Sequence, residues 1–267
     1  MCGRFVSARK RLELLEEFAV ERDLVPADRK PDNTDYNVAP TKRIYAVLNH
    51  KKDKVEDESG RELRLVRWGL VPSWAKNVSA GARMINARAE TVAVKPSFRS
   101  AFAKRRCIIP ADGYYEWQAA PAGSKAKQPF YIYRTDGGIL AFAGIYELWR
   151  DASLPSDHDQ VWLWTASIIT TDAADDIGRI HDRTPMVIPA DGWADWLDPA
   201  NSDKDLLLAM MLPATTSGAA GLTSHPVSTA VNSVRNNGPE LIAPASCPQA
   251  PGKNTGRPRP DGRGVER

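Results

Sequence analysis

The chain opens Met1-Cys2-Gly3-Arg4-Phe5, and its second residue could do unusual chemistry. Initiator methionine is normally removed when the next residue is small, which would leave Cys2 leading the mature chain. Its α-amine and thiol would then stand on neighbouring carbons. An unperturbed α-amine titrates at about 7.7–8.0 and a thiol at about 8.5, so each is partly reactive near neutral pH without the burial a lysine nucleophile needs. The pair suits an aldehyde. The amine forms an imine, and the thiolate closes on the same carbon to give a five-membered thiazolidine. The competing reading is an ordinary small buried residue, as most free cysteines are.

Other residues could serve that chemistry. Glu116 stands among aromatics in Tyr114-Tyr115-Glu116-Trp117. It either reaches water or sits in an apolar pocket with a raised pKa, the way general acids are made. His181, followed by Asp182, Arg183 and Pro185, is either structural or an acid/base group at a helix end. Asn86, Arg88 and Glu90 alternate in Met84–Thr91 and share one face if extended, lining either a solvated edge or a cleft. Trp68 and Trp74 flank a Gly/Pro bend, either as core or as aromatic faces open to a base. The basic run Lys104-Arg105-Arg106 reads as a solvated helix end or a phosphate contact.

The elements that must position these groups follow from periodicity. Arg9–Phe18 reads as an amphipathic helix with Ser7 as N-cap and Leu12, Leu15 and Phe18 on one face. Residues 26–35 read as loop, and Tyr36–Pro40 as an extended turn that Pro40 keeps out of helix. Ile44–Asn49 and Leu63–Trp68 are strands around a charged loop over 51–61. Ser97–Lys104 is a short helix, and Cys107–Pro110 and Tyr114–Trp117 are strands around the Asp112-Gly113 turn. After a loop over 118–128, Phe130–Arg134 and Ile139–Tyr146 read as a hairpin across Thr135–Gly138. Val161–Thr170 is the strongest strand signal. Thr171-Asp172 would cap a helix through Ile180. Gly192–Leu197 and Lys204–Met211 are short helices, and His225–Val234 is a last strand.

Composition sets limits. Hydrophobic residues make up 42% of the 267, enough for a sizeable core. Cys2, Cys107 and Cys247 are three and widely spaced, which argues against a disulfide framework or a metal site and fits a reducing cytoplasm. No apolar run is long enough to span a bilayer, and Arg9-Lys10-Arg11 interrupts any signal-peptide pattern. In residues 248–267, Lys253, Arg257, Arg259, Arg263 and Arg267 exceed Asp261 and Glu266 by three, the whole net charge of +3. The body is therefore neutral, and a nucleic-acid surface on it must be a local patch. The tail from 245 reads as disordered and basic, leaving residues 1–244 as one domain.

Seven motifs in order carry a resemblance: the Met-Cys-Gly-Arg-Phe start, Tyr36–Pro40, Trp68-Gly69-Leu70 with Pro72 and Trp74, Ile85–Arg88 with Glu90-Thr91, Asp112–Trp117, His181–Arg183 with Pro185, and His225–Ser228. Together they are similar to the SRAP-domain family (SOS response-associated peptidase), whose members crosslink to abasic sites in single-stranded DNA. The resemblance implies an α+β fold, with short helices around a barrel-like antiparallel β core. It implies Cys2 as nucleophile and crosslinking residue, with Asn86, Glu116 and His181 as the other active-site positions. Arg4, Asn37, Trp68, Arg88 and Arg183, with Trp74 beside them, fall where the family touches the strand. The expected partner is single-stranded DNA containing abasic sites, met by a monomer in the cytoplasm or nucleoid. Neither metal nor cofactor is implied. Two rivals stand beside it: a thiol peptidase that removes Met1 or cuts peptides with Cys2, and a reader that binds nucleic acid without a covalent step.

Overall fold

Alternating side chains on five long strands build two cores at once. The computed structural model describes residues 2–26, 34–51, 59–120, 126–173, 175–214 and 221–245. Met1, most of the 26–35 loop, the middles of the 51–61 and 118–128 loops and the basic tail from 246 lie outside the described residues.

In chain order, β1 (Phe5–Ser7) leads to α1 (Arg11–Glu17), β2 (Arg22–Asp23), β3 (Asp35–Val38), β4 (Arg43–Lys51) and β5 (Ser59–Trp68). A short 3-10 helix (Val78–Arg83) precedes β6 (Asn86–Arg88), α2 (Ala89–Val92) and α3 (Arg99–Lys104). Next come β7 (Arg106–Ala111), β8 (Gly113–Gln118), β9 (Gln128–Arg134), β10 (Leu140–Arg150) and β11 (Trp162–Asp172). The chain continues through α4 (Asp175–Gly178), β12 (Arg183–Val187), α5 (Trp193–Leu197), α6 (Lys204–Met210), β13 (Leu212–Pro213) and β14 (Leu222–Pro226).

β10, β7, β4, β5 and β11 pair in that order, and β11 returns to β10 to close a ring. This is the barrel-like core of an α+β fold. Its pairings are antiparallel except at the β5–β11 seam, which is parallel, as are β6 on β11 and β2 on β5. A second sheet runs β14-β9-β8-β1-β3. Because side chains alternate across a strand, Tyr45, Val47 and Ile108 join Leu14, Phe18, Phe102 and Trp193 in the core under the helices. Ile44, Ala46, Cys107, Ile109 and Phe142 instead meet Cys2, Phe5 and Tyr114 in the core shared with the second sheet. Each large apolar side chain so buried contributes roughly 1.5–3 kcal/mol.

Several sequence expectations change. Ser7 lies in β1, and Lys10 holds the N-cap position of α1 without a side-chain bond. Leu14 and Phe18 are buried while Leu12 is 69% exposed, so the apolar face is rotated toward Leu14. The segments around 135–138 do not form a hairpin. β9 pairs with β8 and β14, whereas β10 pairs in the ring, because the turn carries the chain from one sheet to the other. Thr171 and Asp172 remain in β11, opposite Thr184 and Arg183. The last strand ends at Pro226, and Thr229–Asn232 is 3-10 helix. Trp68 is fully buried, edge-on to Phe5 at 5.1 Å, with Nε1 donating to the Ile85 carbonyl at 2.9 Å. It is core, and no base can stack on it. Gly69 makes the bend after it: its φ is +119°, and a Cβ there would meet the Gly81 carbonyl oxygen at 2.5 Å.

Arg106 is likewise buried rather than solvated. It donates to the carbonyls of Trp196 (2.7 Å), Phe102 (3.0 Å), Ala103 (2.8 Å) and Asn201 (2.9 Å), and to that of Asp198. Several of these are last-turn carbonyls of α3 and α5 that lack helical partners. Burial lowers its pKa to about 10, which leaves it charged. Arg106→Met should therefore destabilise by at least about 3 kcal/mol in urea unfolding, since each stranded carbonyl costs roughly 1–3 kcal/mol. Arg105→Met, which removes a partly exposed pair with Glu147, should cost under about 1 kcal/mol. Equal losses would contradict this role for Arg106.

Candidate active site

Cys2 is delivered by β1, which lies between β3 and β8 with Phe5 opposite both Val38 and Tyr114. The Tyr115 N–H donates to the Arg4 carbonyl at 2.9 Å and continues that pairing toward the start of the chain. The residue is fully buried. Asn86 arrives from the ring, held on β11 opposite Ile168, and its Nδ2 donates to the Cys2 carbonyl at 2.8 Å. Glu116 arrives on β8 and is 2% exposed. Its Oε2 lies 3.8 Å from Nε2 of His181, which follows the turn after α4. The four residues singled out for chemistry thus meet in one place, from both sheets.

Their electrostatics follow from burial. Glu116 is pushed up to about 7 by desolvation, against the pull of the positive charge at the amino terminus. Burial and that same positive charge lower His181, with the Asp182 carboxylate working the other way. His181 is accordingly neutral at pH 7. Its Nδ1 accepts the Arg183 backbone N–H at 3.0 Å, which assigns the ring proton to Nε2, on the Glu116 side. Nδ1 is also 2.9 Å from Asp182 Oδ1, a partner it gains only on protonation. The Cys2 thiol is raised far above its ordinary value, chiefly by burial and then by the Glu116 charge, so it is a neutral thiol that needs a proton acceptor. Among the described residues, Asn86 Oδ1 is buried without a hydrogen-bond partner, an acceptor left open at a cost of roughly 1–3 kcal/mol.

The residues expected along the strand divide differently. Arg88 is exposed at the end of β6. With Arg83, Lys95 and Arg183 it lines a cleft of about 140 Å³ that also includes Asn86 and Phe98. Arg83 and Lys95 escaped the sequence reading because nothing local separates them from solvated cations. Arg183 is ion-paired with Glu90 (3.1 Å) and Asp172 (2.5 Å) and donates to the Thr170 carbonyl at 2.6 Å, so its charge is already compensated. Asn37 is fully buried: Oδ1 accepts from Arg4 at 2.6 Å, and Nδ2 donates to the Ser233 and Asn236 carbonyls at 2.9 Å each. Arg4 also donates to the Val231 carbonyl at 2.8 Å and lies over the Trp117 ring. Asn37 and Arg4 therefore clasp the 231–236 segment rather than offer free groups to a strand. Trp74 is the open aromatic, 66% exposed, on a loop pinned by Trp149 Nε1 donating to the Ala75 carbonyl at 2.7 Å. Among the described residues no cluster of three or more His, Cys, Asp or Glu could hold a metal, and no helix is long and apolar enough to cross a membrane.

Residues 1–234 match the family described as SOS response associated peptidase (SRAP). The chain belongs to the SRAP family. Among its relatives is the abasic site processing protein YoaM of Bacillus subtilis, 38% identical over 242 residues, which cover 91% of this chain and 97% of that one. The abasic site processing protein HMCES of Gallus gallus is 34% identical over 233 residues, covering 78% of this chain and 66% of the relative. A crystal structure of a protein from Bacteroides thetaiotaomicron superimposes with a TM-score of 0.71 at 25% identity, covering 92% of this chain and all of the other. The SRAP fold here thus includes the whole β framework that brings Cys2, Asn86, Glu116 and His181 together.

The burial of Glu116 has a stability consequence. Its folded pKa, about 7, lies above its ordinary 4.5, so the folded chain binds this proton more tightly than the unfolded chain does. The stabilisation is complete below pH 4.5, is lost as pH rises toward 7 and is flat above. Relative to Glu116→Gln, the wild type should lose roughly 3 kcal/mol across that window in unfolding titrations. Parallel curves for the two proteins would contradict the buried, proton-binding carboxyl.

Proposed function

We propose that this SRAP protein processes abasic sites in single-stranded DNA by forming a thiazolidine between the sugar aldehyde and the mature amino-terminal Cys2. The observation that carries this reading is the convergence on Cys2 of an amide, a carboxyl titrating near 7 and a neutral imidazole. The names of its relatives, abasic site processing proteins, support abasic sites as the target.

An abasic sugar exchanges between a closed ring and an open aldehyde. His181 moves the proton that opens the ring, and the Cys2 amine adds to C1′. Asn86 Oδ1 accepts a hydrogen bond from that amine and aims it, a proximity effect. Glu116, half protonated at neutral pH, protonates the departing hydroxyl as the carbinolamine loses water. The thiol then adds to the imine carbon. A carbon–sulfur bond forms, the thiol proton passes by way of Glu116 to the imine nitrogen, and one water has been released overall. The chemistry balances without a metal or cofactor. Ring closure withdraws the imine, the form from which β-elimination would cut the strand. Reversal runs the same transfers backwards, and lyase activity is the leak when closure is slow.

The strand is held beside this centre. Arg88, Arg83 and Lys95 grip phosphates, which makes binding salt-dependent. Trp74 supplies the stacking face, worth roughly 1–3 kcal/mol per base. A peptidase acting on foreign chains fits less well: a hydrolase thiolate needs a lowered pKa, and burial raises this one.

Cys2→Ser should abolish a denaturation-resistant complex with abasic single-stranded DNA and leave salt-sensitive binding of an intact strand unchanged. A persisting complex would assign the nucleophile elsewhere. Trp74→Ala should weaken intact-strand binding by roughly five- to a hundredfold, the loss of one stacked base; an unchanged affinity in a direct titration would remove Trp74 from the strand path.

A further inference from the structure

Beneath the reactive cluster, two hydroxyls meet in the core between the sheets. Tyr114 and Thr184 have no solvent exposure, and Tyr114 Oη lies 3.1 Å from Thr184 Oγ1. Tyr114 packs edge-on against Phe142 among apolar neighbours. Phenylalanine and valine would fill the same space without placing polar atoms in it. A buried hydroxyl pair at such a place contributes little net stability, but it fixes the distance between the two backbones that carry it.

Those backbones carry the reacting groups. Tyr114 precedes Glu116 by two residues on β8, so the two side chains share a face. Thr184 follows Arg183 on β12, and it is the Arg183 N–H that holds His181 Nδ1. β8 belongs to the second sheet and β12 to the ring sheet, and among the described residues no strand pairing joins them. The separation of Glu116 from His181 is therefore not set by a ladder of backbone bonds. We infer that the Tyr114–Thr184 hydroxyl pair is the cross-sheet strut that sets the Glu116–His181 distance, making both positioning residues for the reaction at Cys2. Burial raises the Tyr114 phenol, against the pull of the Thr184 hydrogen bond, and keeps it protonated. Its part is to hold geometry, not to take protons.

This inference rests on the aldehyde-capture reading, so its test includes a readout that does not depend on it. Glu116 and His181 are titrated by NMR in the wild type, Tyr114→Phe, Thr184→Val and Thr184→Ser. Tyr114→Phe and Thr184→Val, which lose the bond while keeping volume, should shift both titrations. Thr184→Ser, which keeps a hydroxyl, should titrate like the wild type. In parallel, the rate of adduct formation with abasic single-stranded DNA should fall roughly ten- to a hundredfold in the first two variants, with intact-strand binding unchanged. The double variant should be no slower than either single one. Titrations and pH–rate profiles that stay at wild-type values while only thermal stability drops would overturn the strut. Absence of adduct in the wild type itself would overturn the parent reading and leave the titration result to decide this one.

Discussion

A carboxyl group and a thiol share a space that water does not reach, and the chemistry of the site follows from that enclosure. Desolvation is the largest influence on both Glu116 and Cys2, and it raises both. A thiolate beside a carboxylate in such a place would add repulsion to desolvation. The ground state is therefore a protonated thiol next to a carboxyl poised near neutrality. That combination suits proton exchange between two partners better than it suits a permanently charged nucleophile. The same enclosure lowers His181, so two groups able to move a proton at neutral pH, Glu116 and His181, stand beside Cys2.

The enclosure exists because two sheets meet face to face. The ring sheet contributes Asn86 through β6 and His181 through the turn before β12. The second sheet contributes Cys2 through β1 and Glu116 through β8. Neither sheet alone holds more than half of the site. The core that joins them, with Phe5, Trp68, Tyr114 and Phe142 among its members, is therefore also the scaffold of the candidate site. This explains why Trp68, beside a Gly/Pro bend, points inward: its ring packs on Phe5, and its N–H satisfies the carbonyl just before Asn86.

Much of this was legible in the sequence, though unevenly. The aromatics around Glu116 left two readings open, water or an apolar pocket, and its burial decides for the pocket. The strands β4, β5, β7 and β11 were legible from alternation and β-branched content. The false hairpin at 135–138 shows where local reading stops: a four-residue turn with two glycines permits a hairpin but equally permits a crossing between sheets, and long-range pairing decided it. Arg106 was misread because it looks solvent-directed by type, yet it is buried to satisfy carbonyls of the helix before it and of residues 196–201. The Arg83–Arg88–Lys95 cleft was invisible because its members come together only once β6 docks on β11.

The most direct test of covalent capture is the intact mass of the purified protein before and after mixing with an abasic single-stranded oligonucleotide. Covalent capture requires a free protein that lacks Met1, and an adduct whose mass is the sum of protein and oligonucleotide less one water. A protein that retains its initiator methionine, or a mixture that yields no adduct, would contradict it.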